Sequence, residues 1–393
     1  MSETARTGSQ VDIVEIPLGD ARIKDFVKVA WTLNHGDPFW TPPLNADLLG
    51  NKALGIVGLL TPEHPYHRTA QVTHFIAYRD GTPVGRVSGA INERFNEYYN
   101  GDYAFFGFFE CINDQPVADA LLDAVKEWAV AKGADTLRGP GEYSNATHER
   151  QACLIEGFDT PPAVELTHNP PYYRELIENY GFTKAMDYVA YFIDLTQPVS
   201  ERLQKVASEV RAHREIQTRP VDMSRLEDDV RLVVDIYNQA WANNWGFLPI
   251  TSWEADMLAE SLKPIIDPGL CRFAYQDGEP IAVLGCFPDP NVAFRPRWKR
   301  YGDSDYIRLA RLFATRRKID RVRLMFFGIV PGHRRGGTDA VLFQEIHEYA
   351  TAHGYRDCDV SMLLEHNELV IRASAFMGGH EYKKWRIWDL KLQ

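Results

Sequence analysis

A loop rich in glycine and arginine is the segment whose residue types point most directly to chemistry. It reads Val-Pro-Gly-His-Arg-Arg-Gly-Gly-Thr-Asp over residues 330–339 and precedes a stretch with helical spacing of apolar residues. Backbone N–H groups at the beginning of a helix lack intrahelical partners, and the helix dipole adds positive charge there. Glycines let an anion approach the backbone, and Arg334 and Arg335 supply full charges. The pattern predicts a phosphate-binding loop. The alternative is an ordinary surface turn, and the Asp339 carboxylate would repel a phosphate.

A second segment, between residues 139 and 173, is dense in polar and aromatic groups. It contains Gly-Pro-Gly-Glu-Tyr-Ser-Asn at 139–145, His148-Glu149, and Asn-Pro-Pro-Tyr-Tyr at 169–173. Loops of this composition between core strands often form ligand pockets. The segment therefore predicts a substrate pocket, with a Pro- and Gly-fixed loop that packs on the rest of the chain as the alternative.

The elements that position these segments occur twice. Residues 77–84 (Ala-Tyr-Arg-Asp-Gly-Thr-Pro-Val) recur at 274–281 as Ala-Tyr-Gln-Asp-Gly-Glu-Pro-Ile, and each copy predicts a β-hairpin with an Asp-Gly turn. Phe-Phe-Gly at 105–107 recurs at 326–328, and a helical pattern ending in glycine follows both. Asn169 and Asn367 each precede a glycine by twelve residues. Three matches in the same order indicate a duplication.

Each copy reads strand, helix, hairpin, strand, long helix, strand, short helix, strand. This order, with a Pro-x-x-Arg loop before the long helix, resembles the GNAT superfamily of N-acyltransferases. Arg334 and Gly337 fill the first two fixed positions of the family's Arg/Gln-x-x-Gly-x-Gly/Ala pattern, while Asp339 replaces a small residue. The resemblance implies an α/β (α+β) chain of two GNAT-like lobes, each a mixed, mainly antiparallel central sheet flanked by helices. The expected boundaries are an N-terminal lobe at 1–196, a connecting segment at 197–225 and a C-terminal lobe at 226–393.

The resemblance also implies an acyl donor, acyl-CoA or acetyl-CoA, bound by the C-terminal loop without a metal. In GNAT proteins a backbone N–H of the fourth strand holds the thioester oxygen as negative charge develops, and Ile329 or Val330 would supply it. The residues expected to bind the donor are Ile329, Val330, His333, Arg334, Arg335, Gly336, Gly337, Thr338 and Asn367. The corresponding first-copy loop, 110–116, has two acids but no Arg or Gly. We therefore expect the N-terminal lobe to have lost CoA binding and to supply the substrate pocket.

Direct acyl transfer requires a base for the attacking amine and an acid for the leaving thiolate. The tyrosine that GNAT enzymes often use as the acid is replaced in the C-terminal lobe by Ser374, with Tyr382 and Tyr173 as possible substitutes. Each candidate has a plainer interpretation as a solvated or packed side chain. The candidate acid–base residues are Glu110, His148, Glu149, Tyr173, Glu365 and His366.

Composition limits the class of protein. The chain has 393 residues, of which 45% are hydrophobic and 25% charged, as in ordinary globular proteins of two domains. The five scattered cysteines form no CxxC pair, which favours a reducing compartment and no structural zinc. A polar N-terminus without an apolar stretch predicts no secretory signal, so we expect a cytoplasmic protein. The net charge of -11 disfavours nucleic-acid binding.

Residues 295–323 depart from this acidic background, with eleven Lys or Arg against three Asp. Ile307, Ala310 and Ala314 indicate an amphipathic helix there, flanked by Trp298 and Tyr301. A basic amphipathic helix suits a membrane surface, here the inner face of the membrane, or an acidic partner such as acyl carrier protein. The alternative is a solvated helix whose arginines pair with acids of the other lobe.

The favoured function is an N-acyltransferase that moves an acyl group from acyl-CoA or acyl carrier protein to a small-molecule or lipid amine. Some two-lobed GNAT-like proteins of bacteria are similar to N-acyltransferases of lipid metabolism, including ceramide-type acylation of a long-chain base. One alternative is a tRNA-dependent aminoacyl transferase, which would need the basic segment to hold RNA. The other is a non-catalytic GNAT-like binding protein, which Ser374 and Asp339 would allow.

Overall fold

The computed structural model describes residues 10–143, 150–263, 265–296, 304–334 and 336–392, and the chain forms two compact units. The first unit contains 1–186, 294–310 and 385–393, and the second contains 187–293 and 311–384. In chain order the helices and strands are β1 (Val11–Pro17), α1 (Ile23–Asn34), α2 (Asn45–Leu49), β2 (Ala70–Arg79), β3 (Thr82–Asn92), α3 (Glu93–Tyr99), β4 (Tyr103–Cys111), α4 (Gln115–Ala131), β5 (Thr136–Gly141), β6 (Cys153–Glu156), α5 (Tyr173–Tyr180), β7 (Thr183–Asp194), α6 (Glu201–Arg214), β8 (Gln217–Pro220), α7 (Leu226–Ala240), α8 (Ser252–Leu262), β9 (Cys271–Gln276), β10 (Glu279–Pro288), α9 (Asn291–Phe294), α10 (Asp305–Thr315), β11 (Arg321–Ile329), α11 (Thr338–Ala352), β12 (Asp357–Leu364), α12 (Glu368–Phe376) and β13 (His380–Lys391).

The two units have the same strand order. In the first, β1, β2, β3 and β4 are successive antiparallel neighbours, β4 pairs with β5 in parallel, and β13 lies antiparallel to β5. In the second, β8, β9, β10 and β11 are antiparallel neighbours, β11 pairs with β12 in parallel, and β7 lies antiparallel to β12. These mixed, mainly antiparallel sheets with flanking helices confirm the predicted fold class.

The last strand of each unit comes from the other half of the sequence. Residues 187–194 of β7 belong to the second unit, and residues 385–391 of β13 belong to the first. A bidentate ion pair joins Arg138 of β5 to Asp389 of β13, with both N–O distances at 2.7 Å. These units differ from the predicted lobes, which assigned each strand to its own half. They also place 294–310 with the first unit and the connecting segment with the second.

The duplicated hairpins agree in detail. Asp80 and Gly81 have φ of 52° and 73°, and Asp277 and Gly278 have φ of 54° and 82°, as a type I′ turn requires. In both hairpins one extra residue, Val84 or Ile281, interrupts the pairing three residues beyond the glycine. The hairpin match in the sequence is therefore confirmed.

The Phe-Phe-Gly match, in contrast, is wrong in register. Gly107 of β4 lies opposite Ser88, and the hairpin match carries Ser88 onto Gly285. The residue opposite Gly285 is Phe326, not Gly328. Hydrogen-bond register decides structural equivalence in a sheet, so this short repeat is a local coincidence.

In the first unit β4 separates from β5 near its end. Their parallel pairing runs as far as Gly107 and Gly141, and Phe108 has a φ of 48°. A Cβ atom on Gly107 would lie 2.2 Å from the carbonyl oxygen of Gly141, so the close approach of the backbones requires glycine. In the second unit the parallel pairing of β11 and β12 runs as far as Leu324 and Val360. Both units thus open their sheet beside the end of the fourth strand.

The predicted helix in the basic segment is present as α10, and Trp298 and Tyr301 lie outside the described residues. Among the helices that the structure describes, none is long and apolar enough to cross a membrane.

Candidate active site

A cavity of about 120 Å³ lies in the first unit where β4 leaves β5. Its apolar wall comes from α1, the segment that follows α1, and the strands. The polar side chains that line it include two of the predicted acid–base residues, Glu110 and Tyr173. The principal lining residues are Val27, Ala30, Trp31, Trp40, Pro42, Pro43, Asn45, Leu48, Arg86, Phe108, Phe109, Glu110, Glu142, Arg150, Cys153, His168, Asn169 and Tyr173.

Glu110, near the end of β4, is the centre of a buried polar cluster. Its Oε2 accepts hydrogen bonds from the Tyr173 hydroxyl at 2.7 Å and from Asn34 Nδ2 at 2.8 Å. Its Oε1 lies 3.7 Å from Arg86 Nη2. Burial raises the pKa of the Glu110 carboxyl, although Arg86, Asn34 and Tyr173 oppose the shift. A carboxylate with a raised pKa in an apolar cavity is a suitable general base.

Tyr173 begins α5 and joins Glu110 to the backbone of β4. Its hydroxyl accepts the N–H of Cys111 at 3.0 Å, while the Tyr172 hydroxyl donates to the Cys111 carbonyl at 2.9 Å. The next N–H, of Ile112, donates to Val84, so the polar groups of Cys111 point away from β3. Burial raises the pKa of Tyr173 well above its usual value, which keeps the phenol neutral. Tyr173 can therefore donate a hydrogen bond to the base and hold it in place.

His168 and Asp37 form a second polar pair at the cavity, which the sequence analysis missed. His168 lines the cavity, and its Nε2 lies 3.0 Å from Asp37 Oδ2. The N–H of Phe39 donates to the other oxygen of Asp37 at 2.7 Å. The only signal in the sequence was the position of His168 next to Asn169 in the polar segment.

Of the other acid–base candidates, Glu365 and His366 are not among the described residues that line this cavity. His148 and Glu149 lie outside the described residues. Glu365 and His366 are exposed in the turn after β12. The N–H of Glu365 donates to the carbonyl of Asp187 at 3.0 Å, and the N–H of Asp187 donates to the side-chain Oε1 of Glu365 at 3.3 Å. Their roles stay predictions.

Ser374, which replaces the family's tyrosine, and Tyr382, a possible substitute for it, each make hydrogen bonds within the second unit. Ser374 is buried in α12 and donates to the carbonyl of Val370 at 2.9 Å. Tyr382 donates to the buried carboxylate of Asp359 and accepts from Arg321 at 2.8 Å. The contact of Tyr382 with Asp359, beside Arg321, is thus a second buried tyrosine–carboxylate pair, in the second unit.

The first two backbone N–H groups of the predicted donor loop, in the second unit, point in opposite directions. The N–H of Val330 donates to the carbonyl of Ile281 at 2.9 Å, so it faces β10. By the alternation of antiparallel strands, the N–H of Ile329 faces away from β10. Of the two predicted oxyanion donors, Ile329 alone presents its N–H to the opening.

The loop side chains are largely engaged. Arg334 donates to the carbonyls of Ile329 at 3.3 Å and Ala240 at 2.5 Å, and His333 Nδ1 lies 3.1 Å from Gln276 Oε1. Arg335 lies outside the described residues. The loop is therefore fixed to the body of the unit.

At the helix end of the loop, Gly337 has a φ of 75° and immediately precedes α11. A Cβ on Gly336 would lie 2.7 Å from Arg214 Nη1, so a second arginine is close to the loop. Thr338 is buried, and Asn367 is half-buried at the beginning of α12.

Asp339 lies in the first turn of α11, at the end of the helix where the predicted loop would bring a phosphate. Burial raises the pKa of its carboxyl, opposed by hydrogen bonds from the N–H groups of Ala340 and of Asp339 itself. In the first unit Asp114 caps α4 by accepting the N–H of Val117 at 3.1 Å, and it pairs with Arg79 at 2.9 Å. Both helix N-termini thus meet a carboxylate of the chain. In the second unit the glycines and Arg214 are suited to binding an anion, whereas the Asp339 carboxylate would repel one.

Two relatives extend over nearly the whole chain, although no family model matches it. The bacterial ceramide synthase of Caulobacter vibrioides (strain NA1000 / CB15N) is 30% identical over 396 residues, which cover 98% of this chain and 99% of the relative. Protein YghO of Escherichia coli (strain K12) is 27% identical over 381 residues, 94% and 93% of the two chains.

Solved structures share the fold at low identity. A tandem GNAT protein from the clavulanic acid biosynthesis pathway superposes with a TM-score of 0.55 at 13% identity, over 98% of this chain and 99% of its own. A GCN5-related N-acetyltransferase from Sphaerobacter thermophilus gives 0.51 at 13% identity, over 97% and 96%.

The chain thus has the fold of a tandem GNAT protein, in two GNAT-like units. Since a relative at 30% identity matches almost end to end, the chain belongs to the family of the bacterial ceramide synthase.

Proposed function

We propose that this acyltransferase joins a fatty acyl group to the primary amine of a long-chain base, and that the first-unit cavity binds the amine. The observation that carries the proposal is the contact of Glu110 with Tyr173 inside a cavity with apolar walls. Trp31, Trp40 and Leu48 offer apolar surface to an alkyl chain. The name of the relative, a ceramide synthase, supports the choice of a lipid amine.

The reaction needs one proton to move from the amine to the leaving group. The amine nitrogen attacks the thioester carbonyl carbon, so that a C–N bond forms and the C–S bond breaks. Glu110 accepts the amine proton, which then neutralises the departing thiolate. The raised pKa of Glu110 makes the carboxylate a stronger base than an exposed glutamate, and Tyr173 orients it.

The test is amide formation from a long-chain base and a fatty acyl-CoA, followed by mass spectrometry. We expect Glu110→Gln to lower kcat by about a hundredfold or more, the usual size of a general-base effect. Tyr173→Phe should lower kcat less, because the base remains. Glu97→Gln, on the exposed face of α3, is the matched control and should keep wild-type activity. Full activity in Glu110→Gln would show that Glu110 is not the general base. If the wild type formed no amide, the proposed substrate would be wrong.

The donor is proposed to be acyl-CoA, with acyl carrier protein as the alternative source of the thioester. Its thioester end must reach Glu110 for the transfer to occur. The residues proposed to bind it are Ile329, Val330, His333, Arg334, Arg335, Gly336, Gly337, Thr338 and Asn367. The glycines before α11 and the nearby Arg214 support this placement, while Asp339 opposes it. Contact of the basic segment 295–323 with a carrier protein or a membrane is likewise a proposal.

Phosphate recognition at this loop can be separated from folding effects by comparing two donors. We expect Asp339→Asn to lower the KM for acyl-CoA severalfold, because a like charge leaves the phosphate site. Acyl-pantetheine has no phosphate, so its KM should not change. Equal changes for both donors, or none for acyl-CoA, would place the phosphates elsewhere. Glu348→Gln, on the far turns of α11, serves as the charge control.

A further inference from the structure

Helix α10 has a face of exposed apolar side chains that the proposed reaction does not use. Tyr306 is 59% exposed and Phe313 is 57% exposed. Ile307, Ala310 and Ala314 are exposed as well. Residues three, four and seven apart share one side of a helix, so these five form one continuous stripe. A surface helix ordinarily turns such a stripe toward the core.

The opposite side of α10 is firmly anchored at its first turns. Arg308 is fully buried and donates to the carbonyls of Pro42 at 2.5 Å, Pro43 at 2.8 Å and Phe294 at 3.0 Å. Asp305 accepts the N–H groups of Asn45 at 3.0 Å and Ala46 at 2.7 Å. The exposed stripe therefore belongs to a fixed helix. Pro42, Pro43 and Asn45 also line the cavity.

A second apolar segment lies beside the first turn of this helix. Asn51 Nδ2 donates to the Tyr306 hydroxyl at 3.3 Å. Close to Asn51 in the chain, Leu54 and Val57 are exposed large apolar residues. Clustered apolar side chains on a surface mark an interaction site.

Basic side chains follow the stripe directly. Arg316, Arg317 and Lys318 are all exposed, with Asp320 as the next acid. Exposed apolar side chains next to several cations fit the headgroup region of an anionic bilayer. An acidic carrier protein would need the cations but not an apolar stripe with two exposed aromatic rings, so the bilayer is the better match.

We infer that the exposed face of α10, with residues 51–57 beside it and 316–318 after it, docks on an anionic lipid bilayer. This surface adjoins the segment that lines the amine cavity, so a long-chain base would reach the cavity from the bilayer. The inference rests on the proposed function for that last step only, because bilayer binding requires no turnover.

The test is co-sedimentation of the full chain with phosphatidylcholine vesicles that contain or lack phosphatidylserine. We expect binding that requires phosphatidylserine. Ile307→Ser/Phe313→Ser should weaken it by about tenfold or more, from lost apolar burial. Arg316→Ser/Arg317→Ser/Lys318→Ser should weaken it by roughly fivefold for each charge.

Leu369→Ser provides the matched control, because Leu369 is 66% exposed and belongs to a different helix, α12. It should bind vesicles like the wild type. Absent vesicle binding, or equal binding by all variants, would overturn the inference. Binding of purified acyl carrier protein that the triple variant loses, without vesicle binding, would assign the surface to the carrier instead.

Acylation of a short, water-soluble amine distinguishes failure of this inference from failure of the proposed function. All surface variants should retain that activity. Vesicle binding without any acylation would contradict the proposed function alone, and acylation without vesicle binding would contradict the docking surface alone.

Discussion

At the scale of single residues, the environment of Glu110 sets what the cavity can do. Burial raises the pKa of the carboxyl, and three neighbouring side chains limit the rise. Asn34 and Tyr173 donate to the same oxygen, which leaves the oxygen near Arg86 as the more open position for an amine proton. Asn34 and Tyr173 therefore influence both the pKa of the carboxyl and its orientation.

The acid side of the pH–rate profile should report this carboxyl. Activity falls as pH drops through the pKa of Glu110, because only the carboxylate accepts a proton. Asn34→Leu removes a hydrogen bond that lowers this pKa, so the fall in kcat/KM should move to higher pH. The control variant Asn179→Ala, at an exposed position near the end of α5, should leave it in place. An unchanged profile in Asn34→Leu would mean that another group titrates.

His74 gives the first unit a sensitivity to acid. It is fully buried between the carbonyl of Ile16 and the hydroxyl of Tyr143. Burial lowers its pKa to about 4; the hydrogen bond with the Ile16 carbonyl opposes this shift, while His67 and Arg86 add to it. The neutral form is favoured in the fold, so this stability is complete above the unfolded pKa and is lost as pH falls toward 4.

Urea unfolding at pH 7 and pH 5 measures this contribution. We expect the wild type to lose about 2 kcal/mol more than His74→Gln between the two values, from the histidine pKa difference. His353→Gln, at an exposed position, should behave as the wild type does. Equal losses in wild type and His74→Gln would show that His74 is not the responsible group.

At the scale of elements, α6 packs against the beginning of α11. A Cβ on Gly337 would lie 2.6 Å from a methyl carbon of Val210 on α6, whereas a Cβ on Gly332 would meet open space. Both glycines have positive φ, 75° and 95°. Substitution of either glycine by alanine should therefore strain the backbone, and only Gly337→Ala should also displace α6.

Thermal unfolding of the two alanine variants separates these effects. Both should lose about 1 to 2 kcal/mol from the left-handed conformation, and Gly337→Ala should lose about 1 to 3 kcal/mol more from overpacking. Val210→Ala in the same chain should recover part of that extra loss. Equal destabilisation of Gly332→Ala and Gly337→Ala would mean that α6 moves to accommodate the added methyl group at no cost in free energy.

The sequence predicted local elements better than it predicted contacts. The Asp-Gly hairpins and the helix in the basic segment were predictable because turn chemistry and apolar spacing are local. The Phe-Phe-Gly register was not, because a bulge at Phe108 changes pairing without a sequence signal. Glu110 and Tyr173 were chosen separately, and their contact, with Asn34 added, joins positions 63 and 76 residues apart. No pattern of sequence spacing predicts a contact between residues so far apart.

At the scale of the whole molecule, each unit is completed by a strand from the distant half of the chain. β13 gives the first unit the buried Trp388 and the partner of Arg138. Removal of residues 385–393 should therefore unfold the first unit, although these residues lie far from it in sequence.

Separate chains of 1–196 and 197–393 test this dependence. Each alone should aggregate, because its sheet lacks the last strand and exposes an edge. Produced together with a tag on one chain, they should co-purify and show amide formation. A monomeric, folded 1–196 chain would contradict the exchange of strands.

The exchanged strands also constrain how the gene can change. Once each copy depends on the other for a strand, loss of either half removes a strand from both, and selection keeps the pair intact. One copy is then free to abandon a ligand site while it remains indispensable as a scaffold. The loop at 110–116 of the first copy, which has no Arg or Gly, is a change that this mutual dependence would permit.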